Sequence, residues 1–325
     1  MVIPNPEVTV IIPAYNTEAY IGKSIQSALE QTLNNIEVIV VDDASSDQTL
    51  AVAKSFTDKR LKIIANQTNM GAAQTRNHAL KQAKGKWIAV LDSDDWYAPE
   101  RLEKLLSIAY AEDADMVADD LYHIQDGDKL PWSTLLKESG EQIDKIKQID
   151  PIYFIETDLP GRGGLTLGLT KALLKKNFIN HYSIQYEQHL KIGQDFWFYL
   201  KCLAHGARFI FVPEPYYFYR SRPGSLVTIN QIERLEQYIT GSLFFLEKNF
   251  IKNSPNLSNA LSKRLKILQN SRVYFRIVDT YKKGKKIDAL IEALYNPYVL
   301  LKLAENFPKI ISRRMKYYFF FKKTK

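Results

Sequence analysis

The chain contains a single cysteine, Cys202, among its 325 residues, so no internal disulfide is possible. Its five histidines and this cysteine do not fall at the spacing of a zinc site, which predicts a reducing compartment and no structural zinc. No uninterrupted apolar run approaches the roughly 20 residues that a transmembrane helix needs. A secretory signal begins with a basic segment followed by an apolar run, whereas residues 1–7 are polar. We therefore expect no secretory signal and a cytoplasmic location.

Glycine and proline are not abundant either. With 14 Gly and 13 Pro, the chain is neither collagen-like nor of low complexity. Hydrophobic residues make up 46% and charged residues 25%, which are the proportions of an ordinary globular protein with enough apolar material for a core. A length of 325 residues predicts one large domain or two.

Acidic residues are scarce towards the C-terminus. Residues 226–325 carry 20 Lys and Arg against 7 Asp and Glu, whereas residues 1–225 carry 24 against 29, and the formal net charge of +8 hides this difference. A mildly acidic body followed by a strongly basic region favours two separate roles. We therefore predict a boundary near residue 226, with a basic helical region over residues 226–325.

Short β-rich runs alternate with amphipathic stretches through the first half of the chain. The pattern predicts strands at Val8–Ile12, Ile36–Val41, Leu61–Ile64, Trp87–Leu91, Met116–Ala118 and Arg208–Val212. It predicts helices at Ala19–Gln31, Gln48–Phe56, Ala72–Ala83, Thr170–Lys176, Phe196–Ala204, 231–250, 258–280 and 286–304. Continuous Val and Ile runs separated by helices are typical of an α/β fold with a mostly parallel central sheet and helices on both faces.

Polar clusters follow three of the predicted strands. Residues 13–16 follow the first strand, residues 42–47 the second and residues 92–95 the fourth. In sheets of this class the ligand crevice lies beyond the carboxyl ends of the strands. We therefore expect the three clusters to form one site.

The densest cluster places three carboxylates, Asp92, Asp94 and Asp95, within four residues. Such carboxylates repel one another unless a positive group lies among them, and a divalent cation shared with a substrate phosphate would supply it. Capping of a following helix by Asp94 or Asp95 explains the same residues. From the residues alone, both interpretations stay open.

Two further clusters are suited to a nucleotide. A carboxylate of the Asp42–Asp43 pair can accept a hydrogen bond from the N–H of a base, although helix capping explains part of this loop. Gly71 predicts a tight turn into a helix whose N-terminus favours anions, and Arg76 follows one turn later, in reach of a phosphate or a base. A solvated arginine on the helix surface is the alternative for Arg76.

Taken in order, four segments resemble the family 2 glycosyltransferases, which are inverting enzymes with a GT-A fold that use nucleotide-sugar donors. The segments are Ile11–Asn16, Val40–Asp47, Gly71–Asn77 and Leu91–Trp96. The resemblance covers residues 8–225. It implies that residues 1–225 form a nucleotide-sugar-binding catalytic domain of GT-A fold, extended by helices at the C-terminus.

The resemblance also implies roles for individual residues. The base pocket would be lined by Pro13, Tyr15 and Glu18, and Ala14 would be a further donor contact. Further donor contacts would come from Asp43 to the base, Asp92 near the ribose and sugar, and Gly71 and Arg76. Asp94, with Asp95, would hold Mn²⁺ or Mg²⁺ against the diphosphate. Because members of the family usually employ uridine donors, a UDP-sugar is the expected donor.

An inverting transfer also needs a general base on the acceptor side. The resemblance implies that this base is Asp195, within the segment Ile192–Trp197. Gln194 stands where glutamate is frequent in the family, which we interpret as tuning rather than loss of the base. Capping of the helix that follows is the alternative role for Asp195.

The segment Tyr216–Ser225 resembles the family's aromatic and basic closing segment over the diphosphate. Many members carry a metal-binding histidine there, whereas this chain has Arg220 and Arg222, which would neutralise diphosphate charge. Packing of the tyrosines of this segment is the alternative. The expected acceptor is a hydroxyl of a saccharide or a lipid-linked saccharide in surface-glycan synthesis. The alternative function is a nucleotide-sugar sensor or scaffold without catalysis.

Residues 309–325 hold seven Lys and Arg, no acidic residue and five consecutive aromatics. This composition is typical of contact with an anionic membrane surface, here at the inner face of the membrane. A C-terminal helix packed on the domain is one alternative. Nucleic-acid binding is another, which the resemblance to glycosyltransferases disfavours, so no nucleic-acid partner is expected.

Overall fold

The computed structural model describes residues 5–159, 164–222 and 230–302. Within these ranges, ten strands form one sheet. They are β1 (Val8–Ala14), β2 (Ile36–Asp42), β3 (Leu61–Ala65), β4 (Trp87–Val90), β5 (Trp96–Tyr97), β6 (Met116–Gln125), β7 (Ser133–Thr134), β8 (Lys147–Ile149), β9 (Leu173–Lys175) and β10 (Phe209–Ser221). The order across the sheet is β3-β2-β1-β4-β9-β6-β10-β5, with β7 against β6 and β8 against β10.

The long strands pair in parallel, as the sequence predicts. β1 lies between β2 and β4, β3 adds to β2, and β10 runs beside β6, all in parallel register. The short strands β5, β7, β8 and β9 pair antiparallel, and β9 joins the two parallel halves by lying between β4 and β6. The predicted α/β fold class is thus confirmed.

Helices lie between the strands and, at the C-terminus, after the last strand. They are α1 (Ile21–Leu29), α2 (Thr49–Lys54), α3 (Ala72–Gln82), α4 (Arg101–Ala111), α5 (Leu135–Ser139), α6 (Pro151–Thr157), α7 (Lys176–His181), α8 (Gln194–Ala204), α9 (Gln231–Leu246), α10 (Asn249–Lys252), α11 (Pro255–Lys282) and α12 (Lys286–Leu294). Every residue of β4 is buried, and β1 and β2 each have one residue that is not. Because neighbouring side chains of a strand point to opposite faces, both faces of the sheet are covered.

One predicted helix is wrong. Thr170–Lys176 reads as helical in the sequence, but a 3₁₀ turn at Leu167–Leu169 is followed by strand β9. Leu173 and Leu174 pair with β4 on one side and β6 on the other, and both side chains are buried. Burial at this central position outweighs the helical preference of a segment so short.

The last predicted strand is longer than expected. β10 continues from the core to Ser221 and pairs with β6 along its length. The pairing shifts register between Val212 and Tyr217, around Pro215, so that the second half of β10 is offset against β6. This irregularity sets which side chains of the second half face the cavity described below.

The C-terminal helices pack on the sheet domain. Phe245 of α9 and Leu257 and Leu261 of α11 belong to the same buried core as the sheet. Arg264 of α11 is buried, with its Nε donating to the carbonyl of Asp158 at 3.1 Å.

The helix predicted over 286–304 is interrupted at residues 295–296, before Pro297, which begins a further helical turn. None of the helices in the described ranges combines the length and hydrophobicity that crossing a bilayer requires. The basic and aromatic segment 309–325 lies outside the described residues.

Candidate active site

The carboxyl ends of β1, β2 and β4 meet at a cavity of about 500 Å³. The start of α3 and the end of β10 complete its wall. Of the residues that the resemblance assigns to the donor or the metal, those lining it are Pro13, Ala14, Tyr15, Asp43, Gly71, Arg76, Asp92, Asp94, Asp95, Arg220 and Arg222. The three polar clusters that follow the strands therefore share one cavity.

Glu18 has a different position. It is not among the residues lining the cavity. Its carboxylate accepts a hydrogen bond from the backbone N–H of Gln48 at 2.7 Å, and its own N–H donates to Asp47 at 3.1 Å. Glu18 thus ties the loop after β1 to the loop after β2. Tyr15, in the first of these loops, is half exposed at the rim of the cavity.

The Asp43 carboxylate organises the loop that precedes α3. Its Oδ1 accepts from the Asn66 side chain at 2.8 Å and from the N–H of Met70 at 2.9 Å, and its Oδ2 accepts from the N–H of Gly71 at 2.8 Å. Gly71 has a φ of +81°, a conformation that side chains rarely adopt. Asp43 therefore fixes the entry into α3 and the cavity wall that this turn forms.

Asp95 is turned into the protein. Its two oxygens accept from Tyr217 Oη at 2.7 Å and from the N–H of Arg220 at 2.8 Å. Burial, followed by the charges of Asp94 and Asp92, raises its pKa well above the ordinary value. These contacts anchor the end of β10 to the acidic loop.

Asp94 faces the cavity with an arginine beside it. Arg222 Nε donates to Asp94 Oδ2 at 2.7 Å, and no described residue forms a hydrogen bond with Oδ1. Arg220 donates to the carbonyl of Asp94 and to the carboxylate of Asp126, both at 2.8 Å. Two guanidinium groups therefore lie in the wall next to an available carboxylate oxygen.

This donor set fits a divalent cation that is shared with a phosphate. Among the described residues, no three His, Cys, Asp or Glu side chains converge as a site built from protein ligands alone would require. Mg²⁺ is usually held by one or two carboxylates together with phosphate oxygens and water. Asp94 lines the cavity and has one oxygen without a partner among the described residues, so it provides such a carboxylate, whereas the oxygens of Asp95 are engaged within the protein.

A chain of ion pairs leads from the cavity to the start of α8. Lys171 Nζ lies 3.1 Å from Asp92 Oδ2 and 2.6 Å from Asp195 Oδ2. Arg76 donates through Nη2 to Asp92 Oδ1 and through Nη1 to Gln194 Oε1, each at 2.7 Å. The two cations thus connect a residue of the cavity wall to the predicted general base and its neighbour.

The charges of this chain stabilise one another. Burial alone would raise the pKa of Asp92, but the charges of Lys171 and Arg76 outweigh it and lower that pKa well below the ordinary value. Burial would lower the pKa of Lys171, and the carboxylates of Asp195 and Asp92 raise it instead. Asp92 is therefore ionised and Lys171 protonated at neutral pH.

Asp195 keeps one oxygen without a partner. The residue is 7% exposed, and its buried Oδ1 has no hydrogen-bond partner among the described residues, while Oδ2 is bound by Lys171. The buried Tyr186 Oη likewise has no partner with hydrogen-bond geometry within the described part of the chain, but it lies close enough to the Asp195 carboxylate to interact with it. Burial and the charge of Asp195 raise the pKa of Tyr186, so its hydroxyl stays protonated. An unpaired buried polar atom needs an explanation, and a catalytic role is one such explanation.

Sequence reasoning did not find Lys171, Tyr186 or Tyr217. Lys171 lies in the segment that was wrongly predicted as a helix, and a lysine on a helix does not indicate a site residue. Tyr217 is one of several aromatics in a row, and only the register of β10 distinguishes it from Phe218. No local pattern would have marked them, because their partners are distant in the sequence.

The family described as Glycosyl transferase family 2 matches residues 9–178, just over half of the chain. The succinoglycan biosynthesis protein ExoO of Rhizobium meliloti is 30% identical over 300 residues, covering 92% of this chain and 84% of that protein. The chain therefore belongs to glycosyl transferase family 2, and it is a glycosyltransferase enzyme.

A second relative is similar over a shorter stretch. The UDP-Glc:alpha-D-GlcNAc-diphosphoundecaprenol beta-1,3-glucosyltransferase WfgD of Escherichia coli is 46% identical over 101 residues, which are 31% of this chain and 40% of that protein. Among solved structures, that of Staphylococcus aureus TarS residues 1–349 in complex with UDP-GlcNAc superposes with a TM-score of 0.64 at 22% identity, covering 88% of this chain and 78% of that one. The fold is that of the GT-A glycosyltransferases.

Proposed function

We propose that the enzyme transfers a sugar, with inversion, from a UDP-sugar to a hydroxyl of a saccharide or lipid-linked acceptor in surface-glycan synthesis. The observation that carries this proposal is the charge chain from Asp92 through Lys171 to Asp195, because it joins the donor cavity to a carboxylate with a free oxygen. The similarity to WfgD, a UDP-glucose transferase with a diphosphoundecaprenol acceptor, supports the donor and the acceptor, as does TarS, which was solved with UDP-GlcNAc, for the donor; ExoO, a succinoglycan biosynthesis protein, supports the kind of pathway.

The donor would lie in the cavity with its uracil near Tyr15. The half-exposed ring of Tyr15 is available for stacking on a base, and the loop held by Asp43 forms another part of the cavity wall. Arg220 and Arg222 supply positive charge to the diphosphate, since each guanidinium can bind phosphate oxygens in a fixed fork. Asp92 would face the ribose and the sugar.

Asp94 is the residue that would hold a divalent cation, Mn²⁺ or Mg²⁺, together with diphosphate oxygens. Such an ion supplies Lewis-acid stabilisation of the charge that develops on the departing diphosphate. Arg222 would then exchange its contact with Asp94 for one with a phosphate oxygen.

Asp195 would act as the general base. Its free Oδ1 accepts the proton of the acceptor hydroxyl while the acceptor oxygen bonds to the anomeric carbon and the bond from that carbon to the diphosphate breaks. The electron pair of the broken bond leaves with UDP, and the proton stays on Asp195 until it passes to solvent. Tyr186 Oη, a protonated donor, is suited to hold the acceptor oxygen beside the base.

The test is turnover with defined donors and acceptors. The full chain is incubated with Mn²⁺, with UDP-glucose, UDP-galactose, UDP-GlcNAc or GDP-mannose, and with an N-acetylglucosaminyl diphosphate lipid or the free saccharide. We expect UDP release that depends on the acceptor, and a product whose anomeric configuration, read from its proton NMR coupling, is opposite to that of the donor. A product that retains the anomeric configuration of the donor would contradict the proposal, as would transfer from GDP-mannose alone.

A further inference from the structure

The outer face of helix α12 is apolar although it is exposed. Ile287, Leu290, Ile291 and Leu294 are 74%, 61%, 50% and 61% exposed. Their spacing of three, four and seven residues places them on one side of the helix. Single exposed apolar side chains are ordinary, but four large ones on one helix face form a continuous patch that marks an interaction surface.

The inner face of the same helix is made of small residues. Ala289 and Ala293 are buried against Ile277 and Val299. The larger side chains of α12 therefore point away from the protein, which reverses the usual arrangement of a helix on a globular domain. The helix is positioned by its alanines, and its leucines and isoleucines remain available to a partner.

Positive charge borders this patch. Lys282, Lys283, Lys285 and Lys286 are all exposed at the turn that leads into α12. Lys283 pairs with Asp279 at 2.7 Å, whereas the other three have no acidic partner among the described residues. Tyr295, 84% exposed, follows the helix at its other end. Aromatic rings at the edge of an apolar face and lysines beside it are the features of helices that lie in a lipid interface.

We propose that the outer face of α12 docks on an anionic lipid bilayer, with the four apolar side chains among the acyl chains and the lysines at the headgroups. The lysines favour this partner, since their charge complements that of anionic headgroups beside the apolar face. None of its residues lines the donor cavity, and the patch does not include the segment 309–325. It goes beyond the proposed function, because it concerns where the enzyme binds and not what it transfers.

The test compares two triple variants of the full chain. Ile287→Gln with Leu290→Gln and Leu294→Gln removes the patch while keeping good helix formers. Leu130→Gln with Trp132→Gln and Ile146→Gln is the matched control, since these side chains are also exposed and lie elsewhere. Binding is measured by co-sedimentation with vesicles of equal parts phosphatidylcholine and phosphatidylglycerol, and with phosphatidylcholine alone.

We expect the wild type and the control to bind the anionic vesicles and the α12 variant to bind at least tenfold less, with little binding of any protein to neutral vesicles. Equal binding by the α12 variant would overturn the proposal and assign binding to another surface, the segment 309–325 included. A wild type that is dimeric by light scattering, together with a monomeric α12 variant, would overturn it in favour of a second copy.

A second measurement does not depend on loss of binding. Leu290→Trp places a fluorophore in the centre of the patch without removing its apolar character. Its emission, taken as the difference between the variant and the wild type because the chain has four tryptophans of its own, should shift to shorter wavelength when anionic vesicles are added and should be quenched by brominated acyl chains. An unchanged emission in the presence of bound protein would show that the patch stays in water and would refute the docking mode. Neither measurement uses turnover, so failure of the proposed function would leave both results interpretable.

Discussion

Lys171 and Asp195 form a buried ion pair, with Nζ 2.6 Å from Oδ2, and Lys171 reaches Asp92 with the same ammonium group. The side chain of Lys171 is only 5% exposed. The Lys171 ammonium group thus forms ion pairs with both a carboxylate of the donor cavity and the carboxylate proposed as the base. Because a buried charge is stable only when it is paired, the position of each acid depends on the lysine.

Replacing Lys171 should therefore damage both stability and rate. We expect Lys171→Met to lower the free energy of unfolding by about 3–5 kcal/mol, since the buried Asp195 carboxylate loses its paired cation and Asp92, 24% exposed, is left with Arg76. Lys171→Arg keeps the charge and should recover part of both losses. Urea unfolding measures the first effect, and kcat with saturating donor measures the second.

The matched control for this change is Lys175→Met. Lys175 is 38% exposed, and its ion pairs with Asp113 and Asp115 lie at the surface. A surface pair contributes about 0–1 kcal/mol, so this variant should stay close to wild type. If Lys171→Met were as stable and as active as Lys175→Met, the charge chain would have no part in the site.

Removing the proton acceptor should separate binding from chemistry. Asp195→Asn keeps the shape of the side chain, so the affinity for UDP, measured by calorimetry, should change little. In contrast, kcat should fall by about 10²–10⁴-fold, which is the usual contribution of a general base. Asp113→Asn, at a surface carboxylate that is 98% exposed, is the control. Asp195→Asn with wild-type kcat would exclude Asp195 as the base.

The proposed cation ligand makes a third prediction. Asp94→Asn should weaken the binding of Mn²⁺ in the presence of UDP and reduce turnover by at least 100-fold, because one carboxylate contributes much of the charge that holds the ion. Mn²⁺ bound to protein and UDP can be followed by electron paramagnetic resonance. Full turnover of wild type in excess chelator, or unchanged Mn²⁺ binding by the variant, would remove Asp94 from this role.

A glycine in α9 links the C-terminal helices to the proposed base. A Cβ on Gly241 would lie 2.5 Å from the ring of Trp197, two residues after Asp195. We expect Gly241→Ala to destabilise the protein by about 1–3 kcal/mol, as overpacking usually does, and to lower kcat with it. In Gly22→Ala the new Cβ would meet Val52 at an ordinary 3.6 Å, so the same substitution there should be neutral or stabilising. Thermal unfolding of both variants tests the contrast.

The parallel strands could be predicted because their signal is local. Val8–Ala14, Ile36–Asp42 and Trp87–Val90 are runs of buried residues that end in polar loops. β9 could not be predicted in the same way, since three residues give no period and only the neighbouring strands decide their conformation. The break before Pro297 was readable in principle, because proline favours the first turn of a new helix.

The candidate site also contains residues that could be predicted from the sequence and residues that could not. Asp43, Asp92 and Asp94 could be grouped in advance, since each follows a parallel strand and such ends meet at one edge. That Glu18 would cross-link two loops instead of lining the cavity depends on a contact with Gln48, 30 residues away. Lys171 is 24 residues from Asp195 and 79 from Asp92, and no rule of spacing connects residues at such separations.

The register shift around Pro215 divides β10 into two halves with different structural roles. The half before it contributes Phe209 and Phe211 to the core, and the half after it brings Tyr217 to Asp95. Loss of a single residue between positions 213 and 216 would leave both halves able to pair with β6 but would exchange the sides of Tyr217 and Phe218. Such a deletion would yield a folded protein without the hydrogen bond from Tyr217 to Asp95. Insertions and deletions at this point would therefore separate the requirements of folding from those of sugar transfer more cleanly than substitutions do.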